Sequence, residues 1–390
     1  MNLNHLYDDK DGFLLVDLSQ IALATCMQTY EDGTKFTTPE IRHMILSTLR
    51  HNVMKFKVDG YSKIAICIDN AKFGYWRRQF ADYYKRNRAI SREEKKDKFD
   101  WEGYFEALAI VIQELKDFMP YYVLDVKHCE ADDCIAVLTK YLSEQNFKVR
   151  IVSSDGDFTQ LHKFDDVDQY SPIQKKFVKV KTSSPEEDCL TKILKGDKKD
   201  CVASIKVKGD FYLTGDDGLR TPSTSTDFVS KMVGKSDEEL LEEFKIDIQT
   251  KLLGVKSGKK WIQTELLEYL GDEIEIENLF KLKSRDELIE LVRKYRIRKH
   301  LITFYGMDSD KTDIAVERSN LDKLIELLAK IRMKRFQENR VLIDFDYIRD
   351  DIKESILDEF KSFKPAPRGK MYSYFVKSGL TKLLKDINSF

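Results

Sequence analysis

The chain has six cysteines in 390 residues, no Cys-x-x-Cys pair, and no histidine at zinc-ligand spacing from any of them. Cys26, Cys67, Cys129, Cys134, Cys189 and Cys201 therefore read as reduced core thiols, neither disulfide staples nor metal ligands. No apolar run approaches the roughly 18 residues of a membrane helix. Residues 1–9 hold neither a basic stretch nor an apolar one of the secretory kind, so a cytoplasmic protein with no membrane partner is expected. Internal repeats and low-complexity blocks are also missing. A net charge of −1 excludes nothing about nucleic acid, because the distribution of charge matters more than its sum. What the chain does have is 42% hydrophobic residues, enough for a large core, and 34% charged residues of mixed sign. Its length suits one large α/β domain with appendages, or two domains.

Residues 13–18, 63–69, 121–126 and 148–153 are nearly continuous apolar runs, as in strands buried on both faces. Helical stripes over 39–57, 101–119 and 131–143 separate them. This alternation predicts an α/β fold, a parallel sheet with helices on both faces, whose ligands bind outside the carboxyl ends of the strands. After residue 200 the alternation stops. Residues 237–335 read as charged amphipathic helices, Leu342 to Phe345 as one more strand, and Tyr372 onward as an apolar-basic helix.

Acids follow the apolar runs: Leu14-Leu15-Val16-Asp17, Ile66-Cys67-Ile68-Asp69 and Ile151-Val152-Ser153-Ser154-Asp155-Gly156-Asp157. With Glu130-Ala131-Asp132-Asp133 and Asp197-Lys198-Lys199-Asp200 they make nine carboxylates. Each has a plain explanation. Asp155 and Asp157 fit a turn with a helix cap, and Glu130, Asp132 and Asp133 fit acid enrichment in a first helical turn. Asp197 and Asp200 fit a solvated charge run between lysines. Asp17 and Asp69, at strand ends with no cap in view, fit such explanations less well. Together, the acids gather where one sheet edge would collect them. There, ionised carboxylates are costly unless a cation shares the site. Carboxylate ligands suit magnesium or manganese rather than zinc, and two such ions can drive an in-line displacement at phosphorus.

From Arg77 to Lys98 there are nine basic residues against four acidic ones, with Trp76, Phe80, Tyr83 and Tyr84 beside them. Such a segment suits a single strand of nucleic acid that must thread or clamp. Trp76 and Phe80 are expected to pack at its base.

Residues 17–23, 67–72, 74–78, 153–162, 194–200, 336–348 and 367–377 resemble, in order, the phage ribonucleases H of T-even type. These belong to the 5′ nuclease (flap endonuclease) superfamily. The resemblance implies a PIN-like sheet, a helical arch, and a mostly helical C-terminal part that binds duplex. It divides the chain into a core over 1–200, with the arch at 75–100, and a region over 201–390. The latter would hold an insert at about 237–330 and a tail at 365–390. It implies a magnesium-dependent 5′ to 3′ nuclease that removes RNA primers and cuts 5′ flaps, leaving a 5′-phosphate and a 3′-hydroxyl. Two Mg2+ ions are expected, with Mn2+ able to substitute. Asp17, Asp69, Glu130, Asp132 and Asp155 correspond to a first metal cluster with Asp133 close by, and Asp157, Asp197 and Asp200 to a second. Asp132, Asp155 and Lys85 are the expected catalytic residues, Lys85 meeting the scissile phosphate. Arg77, Arg78, Tyr84, Arg86 and Arg88 are expected to contact nucleic acid. The implied partners are duplex DNA, RNA–DNA hybrid and 5′-flap DNA, with a sliding clamp and a single-strand-binding protein as plausible protein partners of a monomer.

Two departures stand out. Where the family has a glycine-bearing hairpin between helices, this chain has Lys206, Lys208 and Gly209, so the two lysines are expected on phosphates in place of a potassium site. The stretch from Lys235 to Lys330 holds 18 basic and 21 acidic residues, no simple DNA clamp. Two other readings compete. A haloacid-dehalogenase-like phosphatase needs an aspartate where Ser19 stands. A non-catalytic replisome scaffold would use the same acids for structural ions.

Overall fold

The computed structural model describes residues 11–215, 218–254, 258–270 and 276–390. Strands β1 (Gly12–Asp17), β2 (Tyr61–Cys67), β3 (Tyr122–Leu124), β4 (Lys148–Val152), β5 (Val167–Ser171) and β6 (Lys176–Phe177) form one sheet in the order β3-β2-β1-β4-β5-β6. All pairs are parallel except β5 with β6. β1 thus pairs with β2 on one side and β4 on the other, a topological switch whose crevice opens at the strands' carboxyl ends.

Alternate residues of each strand feed opposite faces. Leu14, Val16, Ile64 and Ile66 pack with helices α1 (Leu18–Thr29), α2 (Thr38–Lys57) and α4 (Trp101–Phe118). Phe13, Leu15, Ala65, Val149 and Ile151 pack with α5 (Ala131–Glu144) and with Ile352, Ile356 and Phe360 of the helix Asp350–Ser362. The remaining helix before residue 180, α3 (Arg86–Glu94), buries none of its side chains.

The chain separates into two compact units, one running to Cys189 and resuming at Val341–Phe390, the other being Leu190–Arg340. The expected division at residue 200, with the tail in the second part, is therefore corrected. Met371, Tyr374, Phe375, Leu383 and Phe390 bury their side chains in the same cluster as α2 and α4. The tail is also not one helix but two, Arg368–Lys377 and Thr381–Leu384, broken at Gly379, whose φ is +66°. Leu342 to Phe345, expected as a strand, are instead the end of the 23-residue helix Leu321–Ile343 and the start of a 3-10 turn. Strands β5 and β6 went unforeseen. The second unit is helical, including Asp237–Asp247 and Arg285–Tyr305. Among the described residues no helix is long and apolar enough to cross a membrane.

Candidate active site

Asp17 is the last residue of β1 and the cap of α1, accepting from the Gln20 amide at 3.1 Å and from Ser153 Oγ at 2.8 Å. Asp69 lies two residues past β2. Its amide donates to Ser19 Oγ at 2.9 Å, and its Oδ1 accepts at 2.8 Å from the Ala131 amide at the start of α5. Asp155 follows β4 and caps the 3-10 turn Gly156–Lys163, accepting from the Asp157 amide at 3.0 Å. Glu130 and Asp132 sit at the head of α5. Asp17, Asp69 and Asp155 thus stand at or just past the ends of neighbouring parallel strands, and the N-terminus of α5 turns its Ala131 N–H onto Asp69.

Two cations meet these acids. Lys85 is 3% exposed and pairs with Glu130, with Asp132 Oδ2 at 4.0 Å. Its backbone adopts the left-handed conformation (φ +55°), and Arg78 braces that turn by donating to the Tyr84 carbonyl at 3.1 Å. Arg77 is turned inward. It is 1% exposed and pairs with Glu130 at 2.9 Å and Asp133 at 2.7 Å. Its expected place on nucleic acid is corrected, because its guanidinium is already held by two buried carboxylates. Asp133 also accepts from Trp76 Nε1 at 3.0 Å and caps the Glu130 amide, so it serves this internal knot. Tyr84, likewise buried, donates to Glu130 at 3.2 Å. Arg88 lies close enough to Asp69 to favour its charged form. Arg86 is exposed and pairs with Asp82 one turn away. Trp76 packs as expected, whereas Phe80 is exposed.

The other expected residues lie further along the chain. Asp157 shares the Asp155 turn. Asp197 and Asp200 belong to the second unit, where Asp197 caps a 3-10 turn by accepting from the Lys199 amide at 2.8 Å. Lys206, expected on phosphate, is instead buried against Asp247 at 3.1 Å and the Ser223 carbonyl at 3.0 Å. Lys208 is half-buried, with Asp210 at 3.7 Å. Sequence reasoning missed Ser153 and Gln169. Ser153 Oγ joins Asp17 to the Asp155 amide, and Gln169 donates to the carbonyls of Ser153 and Asp155. The only sequence signal for this pair was a serine two residues before an acid.

The electrostatics are those of too many acids. Burial, and then the Asp69 carboxylate, push Asp17 up to about 7. Burial also raises Asp69, with Lys85 opposing it and Glu130 adding to it. Asp132 is raised well above the usual range by burial and, against Lys85, by Asp17, Asp155 and Glu130. Among the described residues no three acids, histidines or cysteines are drawn tightly enough together to hold an ion as they stand. The carboxylates are met instead by N–H and O–H groups of the fold: Asp17 by Gln20 and Ser153, Asp69 by Ala131, Glu130 by Arg77 and Tyr84, and Asp155 by Asp157. All the donors are hard oxygens, and the set fits a divalent ion of the magnesium class.

Residues 12–190 match a family model described as a 5′-3′ exonuclease N-terminal resolvase-like domain. Residues 183–256 and 307–390 match one described as T4 RNase H, C terminal. The ribonuclease H of enterobacteria phage T4 is 43% identical over 392 residues, covering 100% of both chains, so the alignment also runs through the stretch expected as an insert. A thermostable DNA polymerase I of Thermus thermophilus is 28% identical over 156 residues, 40% of this chain and 17% of that one. The solved structure of T5 5′-exonuclease with bound zinc covers 83% of this chain and 100% of its own, at 18% identity and a TM-score of 0.43.

Proposed function

The chain belongs to the 5′-3′ exonuclease family of nucleases, and from that premise we propose a magnesium-dependent 5′ to 3′ nuclease that removes RNA primers and adjacent DNA or 5′ flaps during replication. Its substrates would be RNA–DNA hybrid, duplex DNA and 5′-flap DNA. The observation that carries the reading is the set Asp17, Asp69, Glu130, Asp132 and Asp155, drawn to one sheet edge with their protons held abnormally tightly at Asp17, Asp69 and Asp132. A site with that excess of negative charge favours whatever cation can enter it.

When bound, a pair of divalent ions would activate the attacking water and stabilise the departing oxygen. Asp17, Asp69, Glu130, Asp132 and Asp155 would hold them; Asp157 in the same unit, and Asp197 and Asp200 in the second unit, are the further acids proposed as metal ligands. Lys85 is the group for the scissile phosphate: its ammonium sits between Glu130 and Asp132 and can exchange a carboxylate for a phosphate oxygen. Arg78 fixes the left-handed turn that aims it. Arg86 and Arg88 on α3 would supply contacts along the nucleic-acid backbone, and Lys208 of the second unit a contact of its own, whereas Tyr84 is buried against Glu130 and is withdrawn from that role. That predicts binding that weakens steeply with salt. For a protein partner such as a sliding clamp or a single-strand-binding protein, the exposed side of the tail offers Tyr372 and Val376.

The test is cleavage of a labelled 5′ flap and an RNA–DNA hybrid, with magnesium and with chelator. Asp132→Asn should lose more activity than the roughly 10–100-fold typical of groups one step removed from a metal, while binding stays within about twofold. Cleavage that persists in chelator, or equal loss of binding and cleavage, would overturn the proposal.

A further inference from the structure

Away from the acids, the nuclease unit holds a cleft of about 520 Å³ among α1, α2 and the turn after β5. Thr25, on its α1 wall, is eight residues beyond Asp17, about 12 Å along the helix at the usual rise. The volume falls within the range of small-molecule sites. None of the residues lining it is acidic, and two, Lys55 and Lys175, are cationic.

The few polar groups of the lining are placed in a particular way. Asn52 is 2% exposed and donates through Nδ2 to the Thr48 carbonyl at 2.9 Å, which fixes the orientation of its amide. Its other atom, Oδ1, is buried with no hydrogen-bond partner, an uncommon state for a native polar group. Lys55 donates to the Tyr170 hydroxyl and sits 3.8 Å from the centre of that ring, so its ammonium is held at the wall. Lys175, exposed on the turn after β5 with φ +54°, lines the cleft. Tyr170 is also tied to the acid site. Its carbonyl accepts from the Ser153 amide at 3.1 Å, and Ser153 Oγ donates to Asp17.

We propose that this cleft binds a phosphate ester of nucleotide size, with Lys55 and Lys175 on the phosphate and a ligand hydroxyl donating to Asn52 Oδ1. Two lysines without an opposing acid select an anion, and an acceptor without a donor selects a hydroxyl beside it. A nucleotide unit carries both within one sugar's length. It reaches the cleft either as a free mononucleotide or as part of a strand.

Calorimetric titration of the full chain in chelator tests this without relying on cleavage. The probes are inorganic phosphate, adenosine 5′-monophosphate, and a ten-nucleotide RNA. Lys55→Gln with Lys175→Gln, both at exposed positions, should weaken adenosine monophosphate at least fivefold. Asn52→Leu should weaken adenosine monophosphate but leave inorganic phosphate unchanged, and circular dichroism checks that this buried variant folds. RNA that binds at least tenfold tighter than the mononucleotide, and loses that advantage in the lysine variant, assigns the cleft to a strand. Equal affinities assign it to the free nucleotide. Mononucleotide affinity unchanged by the lysine substitutions overturns the proposal, whatever becomes of the nuclease activity.

Discussion

In the nuclease unit Lys85 and Arg77 stand among five acids, Asp17, Glu130 and Asp133 buried and Asp69 and Asp132 partly exposed. In the helical unit one buried acid, Asp247, receives Arg332 at 2.7 Å and Lys206 at 3.1 Å, and His300 lies beside them at 4% exposure. His300 is pushed down to about 3, by burial first and then by Arg332 and Lys206. It stays neutral because a third cation there has no partner. The second network sets one acid against two cations and a neutral imidazole. The first is left short of positive charge, and so is the one prepared to take in a cation from solution.

The largest expected effect breaks the second network. Asp247→Leu leaves Lys206 and Arg332 buried without their anion and should cost about 3–5 kcal/mol, read from urea unfolding of the helical unit. A smaller loss would mean that the two cations are reached by water.

Opposite responses to pH sharpen the contrast next. Asp17 rises from 3.8 to about 7 on folding, so the folded nuclease unit binds the extra proton. The stability this contributes is complete below 3.8 and lost as pH climbs toward 7 in chelator. His300 falls from 6.5 to about 3, so the folded helical unit binds fewer protons, and its contribution is complete above 6.5 and lost as pH drops toward 3. Hydrogen exchange at several pH values should show the units sloping in opposite directions, with magnesium flattening the first slope. Slopes of one sign would defeat the comparison.

Asp17→Asn probes the acid excess directly. In chelator at pH 8 it should stabilise the nuclease unit by up to about 4 kcal/mol, since the rise from 3.8 to about 7 is roughly three pKa units at about 1.4 kcal/mol each. The gain should shrink as pH falls and vanish below 3.8, where Asp17 keeps its proton in the folded and the unfolded chain alike. The smallest effect belongs to Trp76→Phe, which removes the hydrogen bond to Asp133 and should cost about 1 kcal/mol in thermal unfolding.

The sheet was legible where strands are unbroken apolar runs, and so were the acids that end them. Val167–Ser171 was not, because the strand carries Asp168 and Gln169 and looks like a polar loop until Gln169 is seen spending its amide on the carbonyls beside Asp155. Leu342 to Phe345 misled for the converse reason: four residues of mostly apolar character carry no period that separates a strand from the last turn of a long helix. Arg77 and Lys206 misled because a count of charges says nothing about which way a cation faces. Their buried acid partners, Glu130, Asp133 and Asp247, lie more than 40 residues away in sequence, and no local pattern announces such pairs.

The return of Val341–Phe390 to the nuclease unit has a consequence for how the protein is made. A ribosome that has passed residue 200 has already produced all nine acids. It has not yet produced Ile352, Ile356 and Phe360, which cover one face of the sheet, or Phe375 and Phe390, which close the cluster on the other. The unit whose strands are made before the helical unit is thus completed only after it, because both faces of its sheet wait for side chains that follow residue 340.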